Sequence, residues 1–177
     1  MAFGRSKQKL CDEPALYEYA IAALGRRMRT VAELKRLLRQ RVEESEYGAL
    51  LVETVVARLK EERYLNDSAY AATYSSLRKE NEKFGRRRVI SDLKQRGVHD
   101  SIIEKAVSTA YSETNEERLA REYLRRKRVQ KPADQKQAAR IFRTLVRAGF
   151  ATRTIIAILK KWEVEDEVLT ALESGQE

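Results

Sequence analysis

Apolar residues recur every three to four positions along most of the chain, a pattern that indicates amphipathic helices. The first such stripe runs through Leu16, Ala20, Leu24 and Met28. Comparable stripes return in about nine segments of roughly 10 to 16 residues, close to the usual helix length. The strict apolar–polar alternation of a half-buried β-strand does not occur in the sequence. The pattern therefore predicts an all-α protein of about nine helices.

The second helix of each predicted group of three has nearly the same sequence in all three copies. Its anchoring leucines, Leu38, Leu93 and Leu145, lie 55 and 52 residues apart. Glycine follows the second and third of them at Gly97 and Gly149, whereas the first copy lacks it. A recurrence near 50 residues predicts three tandem three-helix-bundle repeats in an elongated, curved array. Such an array is suited to present surface, not to enclose an active site.

Capping and turn residues set the predicted boundaries. Thr30–Glu33 has the pattern of a capping box, and so has Thr114–Glu117. Asn66–Asp67 supplies good caps for the fourth helix, and Gly97 is expected to adopt left-handed backbone at the end of the fifth. These signals divide the chain into a flexible basic tail, three three-helix repeats and an acidic C-terminal tail, at residues 1–13, 14–65, 66–112, 113–162 and 163–177.

Composition adds a strongly basic body to this picture. The chain has 36 Lys and Arg against 27 Asp and Glu, a net charge of +9. Because residues 163–177 hold six acids and no Lys or Arg, the other 162 residues carry +15. A basic body of this kind favours a polyanionic partner. The alternative is a basic surface that only keeps the protein soluble.

The residues needed for catalysis are scarce in this sequence. His99 and Cys11 are the only histidine and the only cysteine, so no disulfide framework and no metal-binding pair is available. Phosphate-binding glycine motifs are absent as well. The chain has no apolar run long enough to span a bilayer and no apolar core of a secretory signal at its start. We therefore predict a cytoplasmic, monomeric protein that is not an enzyme and has no cofactor, no metal and no membrane partner.

Three basic clusters are the candidate partner-binding residues. Arg26–Arg29 and Arg125–Arg128 lie at predicted helix ends, where the helix dipole favours cations. Arg86–Arg88 lies at a helix start, where positive charge is mildly unfavourable, so an external anionic partner explains it better. Together with cations on neighbouring helical turns, the predicted partner- or DNA-binding basic face comprises Arg26, Arg27, Arg29, Lys35, Arg36, Arg39, Arg86, Arg87, Arg88, Lys94, Arg96, Arg125, Arg126, Lys127, Arg128, Arg143 and Arg147.

Three segments, in this order and spacing, resemble the RecX family of recombinase regulators. Residues 30–38 (TVAELKRLL) resemble the family's second helix, and residues 64–71 (YLNDSAYA) resemble its junction between repeats. Residues 85–98 (GRRRVISDLKQRGV) resemble the segment that follows. The resemblance extends over about residues 16–162. Arg63 stands where the family's junction usually has glycine, and Asp92 replaces its usual glutamate, which leaves the local turn geometry open.

The resemblance implies a bacterial protein that binds the RecA–DNA nucleoprotein filament. It implies that such binding modulates, and mostly inhibits, recombinase, ATPase and coprotease activities, and so tunes DNA repair, homologous recombination and the SOS response. DNA itself, single- or double-stranded, would be a weaker or indirect partner. Two alternatives stay open: a direct DNA-binding protein built from helix-turn-helix-like modules, and a helical adaptor for an acidic peptide.

Overall fold

A computed structural model describes residues 12–174, and within this range the chain forms ten α-helices and no β-strand. The all-α prediction is thereby confirmed. The predicted basic tail and Cys11 lie outside the described residues, except for Asp12 and Glu13, where the first helix begins. The helices are α1 Glu13–Arg26, α2 Val31–Arg39, α3 Glu46–Glu61, α4 Asp67–Leu77, α5 Arg86–Gln95, α6 Asp100–Tyr111, α7 Glu116–Arg126, α8 Gln135–Arg147, α9 Thr152–Lys161 and α10 Asp166–Ser174.

Two helices differ from the expectation at their boundaries. Helix α10 is the one beyond the nine expected, and it forms in the segment predicted as an acidic tail, with Leu169 as its buried contact. Helix α4 continues into a π-helical turn, Arg78–Glu82, which ends at Lys83 in left-handed backbone with φ 58°. The predicted repeat boundaries themselves stay a prediction.

Side-chain caps start several of the helices as capping chemistry predicts. Thr30 Oγ1 accepts a hydrogen bond from the Glu33 N–H at 3.0 Å, and the Glu33 carboxylate accepts one from the Thr30 N–H, so this capping box is confirmed. The second predicted box is wrong. Asn115, not Thr114, is the cap of α7, and its side chain accepts from the Arg118 N–H at 2.9 Å. Two adjacent residues could cap this helix, and the chain uses the second.

One compact unit comprises, among the described residues, 12–71 together with Lys94–Ile102. In its core α1, α2 and α3 pack on each other through aliphatic side chains that are fully removed from water. Burial of each leucine contributes about 1.5–3 kcal/mol. The fully buried members are Leu16, Ala20, Leu34, Leu38, Val52, Val55 and Leu59.

The second compact unit comprises Ala72–Leu93 and, among the described residues, 103–174. Its core is built mainly from α7, α8 and α9. Tyr123 packs edge-on against Phe150, with ring centroids 5.9 Å apart, and lies 6.3 Å from the ring of Phe84. The largest fully buried side chains of this core are Phe150, Leu124, Leu145, Ile155, Ile158 and Leu159.

Left-handed backbone marks several helix ends. Gly97 has φ 75°, as predicted, and Gly149 has φ 89°. The first repeat lacks this glycine, and its Val42, which corresponds to Val98 and Phe150, is buried in the core of its unit. Arg63, which replaces the family's junction glycine, also takes left-handed backbone, with φ 63°. The turn geometry that the substitution left open is therefore the one that glycine would adopt.

Candidate partner-binding surface

The start of α2 is covered by the turn that follows α5, and both belong to the first unit. Thr30 Oγ1 donates a hydrogen bond to the carbonyl of Arg96 at 2.7 Å. The guanidinium of Arg96 pairs with Glu33 at 2.6 Å, and Asp67 accepts a hydrogen bond from the Val31 N–H at 2.9 Å. Arg96, one of the predicted partner-binding cations, is therefore held by its own unit.

The start of α5, which carries Arg86–Arg88, is covered in the second unit by the turn that follows α8. The Gly85 N–H donates to the carbonyl of Ala148 at 2.8 Å, and the Arg87 N–H donates to the carbonyl of Gly149 at 3.1 Å. These two carbonyls satisfy N–H groups that a helix otherwise leaves open at its N-terminus. The backbone of the arginine cluster is thus fixed, while its side chains extend from an anchored turn.

The three arginines of this cluster have different surroundings, although all three are exposed. Arg86 donates to Ser108 Oγ at 3.0 Å. Arg88 pairs with Asp92 at 3.0 Å, one helical turn later, and lies 5.7 Å from the centre of the Phe84 ring. Arg87 has no acidic partner among residues 12–174. Arg87 is therefore the member of the cluster best able to meet an external anion.

Six of the predicted cations are held in ion pairs within the described chain. Exposed pairs of this kind stabilise a fold by at most about 1 kcal/mol each, but they offset the positive charge that an anionic partner would meet. The pairs are Lys35 and Arg39 with Glu53, Arg88 with Asp92, Lys94 with Asp100, Arg96 with Glu33, and Arg126 with Glu82.

The other eleven predicted cations have no acidic side chain within ion-pair distance in the part of the chain that the structure describes. All of them are exposed except Arg29, which is half-buried and donates to the carbonyl of Ala23 at 3.4 Å. Both units contribute to this set, so neither unit alone carries the uncompensated charge. The set comprises Arg26, Arg27, Arg29, Arg36, Arg86, Arg87, Arg125, Lys127, Arg128, Arg143 and Arg147.

Arg153 is a cation that the sequence analysis did not include. It is exposed at the second position of α9, and it lines the same cleft of the second unit as Arg86 and Arg87. In the sequence Arg153 stands alone between two threonines, so no cluster marks it. Its position one residue inside a helix start, like that of Arg87, is the only local signal that could have found it.

Metal-binding clusters and shifted pKa values are two further chemical features of the described range. No group of three or more His, Cys, Asp or Glu residues comes together there. A hydrogen bond from Lys161 lowers the pKa of Glu117, and burial raises the pKa of Tyr111. Both shifts move the group further from neutral pH. Within residues 12–174 no helix is long and apolar enough to cross a bilayer.

Comparison with known proteins finds similarity to RecX proteins. Residues 66–107 match the second three-helix domain of RecX. A "Regulatory protein RecX" of Geobacillus thermodenitrificans is 30% identical over 147 residues, which are 81% of this chain and 52% of that protein. Over most of its length the chain is therefore similar to regulatory proteins of the RecX family. A regulatory protein RecX of Bacillus cereus strain B4264 is 29% identical over 152 residues, 85% of this chain and 54% of that protein. The chain thus spans about half the length of the curated RecX relatives it matches.

Two solved RecX structures share the fold. A crystal structure of regulatory protein RecX superposes with a TM-score of 0.70, covering 84% of this chain and 73% of that one. RecX from Lactobacillus salivarius gives a TM-score of 0.66 and covers 85% of this chain and 96% of that one. Sequence identity is 20% in both comparisons. The likeness is therefore one of fold, and it agrees with the all-α prediction.

Proposed function

We propose that this chain is a cytoplasmic regulatory protein of the RecX family that binds the RecA–DNA filament and mostly inhibits its recombinase, ATPase and coprotease activities. It would act by binding and not as an enzyme. The proposal is supported by its relatives, which carry the name of regulatory proteins. The observation that carries it is the set of eleven cations without acidic partners, spread over both units of the described chain.

Distributed charge of this kind suits a repeating anionic partner. A nucleoprotein filament offers phosphates and acidic side chains at regular intervals, so several weak contacts can form at once. Contacts linked within one chain combine through their high effective concentration, provided that the spacing of the modules matches that of the partner. The proposed repeats at residues 14–65, 66–112 and 113–162 would be the modules, and a monomer would suffice.

The experiment is a titration of the DNA-dependent ATPase of a bacterial RecA protein with this chain. We expect inhibition. Inhibition near one chain per RecA subunit would indicate binding along the filament, and inhibition at far lower ratios would indicate action at filament ends. An ATPase rate that does not change at any ratio would contradict the proposal.

Charge variants test whether the unpaired cations carry the effect. Replacing Arg26, Arg27 and Arg36 with Gln removes three cations of the predicted face. The control, in which Gln replaces Lys60, Arg63 and Lys105, removes three exposed cations outside that face. Both variants lower the net charge equally, so a selective loss of inhibition in the first would assign the effect to the face. Equal losses of inhibition in the two variants would mean that net charge, and not the predicted face, causes the effect.

Binding to RecA-coated and to naked DNA distinguishes the proposed function from direct DNA binding. A filament regulator should bind RecA-coated DNA more tightly than naked DNA. A direct DNA-binding protein should bind both equally, with an affinity that falls steeply as salt rises. Equal affinities would replace the proposed function with the alternative.

A further inference from the structure

A cleft of about 520 Å³ in the second unit has an arginine-rich rim. Arg86 and Arg87 come from the start of α5 and Arg153 from the start of α9, and all three line it. Tyr111 and Glu116 also line the cleft. Sites for small ligands fall in the range of about 300–1,000 Å³. The cleft is therefore large enough for an anionic group together with the atoms attached to it.

At both helix starts some N–H groups already have partners, and arginine side chains supply the positive charge of the cleft. In α5 the carbonyls of Ala148 and Gly149 accept the N–H groups of Gly85 and Arg87. At the start of α9 the Glu116 carboxylate accepts the Ala151 N–H at 3.0 Å and the hydroxyl of Thr154. The N–H groups of Gly85, Arg87 and Ala151 are therefore not available to a ligand.

The charges of the cleft do not cancel. Glu116 is the acidic residue that lines it, against three arginines, which leaves a net charge of +2. Both oxygens of Glu116 are occupied by the start of α9, so this carboxylate is not free to turn toward an arginine. Arg87 and Arg153 have no acidic partner among the described residues. Two exposed guanidinium groups thus face one cleft without a counter-ion from residues 12–174.

Two residues of the cleft, Tyr111 and Arg86, are held in place by hydrogen bonds to other parts of the unit. The Tyr111 hydroxyl donates to the carbonyl of Phe84 at 2.8 Å, so its ring forms a wall while its hydroxyl is engaged elsewhere. Arg86 is oriented by its hydrogen bond to Ser108, so it adds positive charge from a defined position. The two remaining arginines, Arg87 and Arg153, are the groups free to bind a ligand directly.

We propose that this cleft binds a backbone phosphate of DNA, with Arg87 and Arg153 as its direct ligands. A guanidinium presents planar N–H donors that match the oxygens of a phosphate in a bidentate manner. A phosphodiester brings one negative charge to a site of +2, and the free volume accommodates the adjoining sugar. The inference rests on the proposed function only in that DNA is one component of the filament.

The test is DNA binding by the full chain, measured by fluorescence anisotropy with a labelled single-stranded oligonucleotide across a range of salt. We expect the double variant Arg87→Gln/Arg153→Gln to bind about tenfold or more weakly. Its slope of log affinity against log salt should be smaller by about one to two, because one or two phosphate contacts are lost. Circular dichroism should show unchanged helicity, since neither side chain holds an ion pair in the described chain.

The matched control is Lys136→Gln/Arg140→Gln, which removes two exposed cations of α8 in the same unit. Because net charge falls equally, any general electrostatic effect appears in both variants. We expect the DNA affinity of the control to fall about threefold or less, because charges far from the bound DNA are screened by salt. Equal losses in the two variants would overturn the site. The double variant Arg87→Lys/Arg153→Lys keeps the positive charge but loses the paired N–H donors of the guanidinium groups. Its DNA affinity should lie between those of the wild-type chain and the Gln variant.

Two further measurements separate the possible occupants. If inorganic pyrophosphate binds the wild-type chain but not the arginine variant, while DNA affinity is the same in both, the cleft takes free phosphates and the proposal fails. If the variant keeps its DNA affinity but loses inhibition of the RecA ATPase, the cleft takes a carboxylate of the filament protein, and the proposal again fails. Absence of any ATPase effect by the wild-type chain would contradict only the proposed function, because binding to naked DNA needs no recombinase.

Discussion

At two places in this protein the start of a helix is hydrogen-bonded to the turn after a later helix, and we call each contact a joint. The two joints occupy the same places in the predicted repeats but are built from different chemical groups. Thr30 lies eight residues before Leu38, as Gly85 lies eight before Leu93. Arg96 and Ala148 each lie three residues after an anchoring leucine. In the first unit Thr30 meets the carbonyl of Arg96, and in the second Gly85 meets that of Ala148. The start of α2 is thus joined to the turn after α5, and the start of α5 to the turn after α8.

The difference lies in how close the two backbones come. In the first joint a threonine hydroxyl bridges to the carbonyl, and the ion pair of Arg96 with Glu33 lies beside it. In the second the backbones bond directly, and a Cβ on Gly85 would lie only 2.3 Å from the carbonyl oxygen of Gly149. One position can therefore be threonine or glycine, depending on whether a side chain or the backbone makes the contact.

Two of the three predicted repeats have a glycine in the turn after their second helix, and the first lacks it. Gly97 and Gly149 lie where left-handed backbone meets another helix start, close to Ala32 and to Arg88 respectively. In the first repeat Arg41 is followed directly by Val42, which is buried like Val98 and Phe150 in the other two. The first copy therefore keeps the buried residue of this turn and lacks only the glycine before it.

The largest effect is expected for Gly149→Ala, in the backbone-bonded joint. A Cβ at this position would lie 2.2 Å from the amide nitrogen of Arg88, and φ is 89°. Left-handed strain and overpacking each cost about 1–3 kcal/mol, so we expect a loss of about 3 kcal/mol or more in the free energy of unfolding. Urea denaturation measures it, with Gly25→Ala, at an uncrowded helical position, as the control. A loss below about 1 kcal/mol in the free energy of unfolding would contradict this prediction, because it would mean that the two backbones can move apart at little cost.

Gly97→Ala, in the side-chain joint, should cost less, about 2 kcal/mol, because the added Cβ would meet one atom within 3.0 Å and not three as at Gly149. The added Cβ would lie 2.5 Å from the Cβ of Ala32, at a φ of 75°. Combining it with Ala32→Gly removes the clash but leaves the strain. A double-mutant cycle by urea denaturation should give a favourable coupling of about 1 kcal/mol. Additive effects would mean that backbone strain, and not contact with Ala32, sets the cost.

Thr30→Ala should cost about 1–2 kcal/mol, because it removes the cap of α2 and leaves the carbonyl of Arg96 without its hydroxyl donor. Thr30→Ser keeps both hydrogen bonds and is the control, with an expected loss well under 1 kcal/mol. Thermal and urea unfolding monitored by circular dichroism provide the comparison. Equal losses in the two variants would indicate that the threonine methyl, and not the hydroxyl, supports the joint.

Local features of these joints could be predicted from the sequence. The capping box at Thr30 and the left-handed Gly97 each depend on a few neighbouring residues, and both are confirmed. The box at Thr114 failed because Asn115, beside it, is an equally good cap, and local rules do not choose between adjacent candidates. The ion pair of Arg88 with Asp92 follows helical i,i+4 spacing and was likewise within reach of pattern reasoning.

Contacts between distant segments could not be predicted. Thr30 and Arg96 are 66 residues apart, so nothing in either segment shows that a hydroxyl of one meets a carbonyl of the other. The same holds for Arg126 with Glu82, which removes a predicted cation from the unpaired set. Arg153 was missed for the complementary reason: it is isolated in the sequence and joins two arginines of another helix only in the folded unit.

The smallest expected effect concerns the ion pair that only the first joint has. Arg96→Met keeps the aliphatic stem and removes the charge that lies 2.6 Å from Glu33, whereas Ala148 holds this position in the second joint. Arg96 is 30% and Glu33 14% exposed, so the pair is partly screened, and we expect a loss of about 0.5–1 kcal/mol. A double-mutant cycle with Glu33→Gln, which keeps a capping side chain, isolates the pair, and the coupling should shrink in high salt. A coupling of zero at low salt would mean that the first joint, like the second, depends on hydrogen bonds to the turn alone.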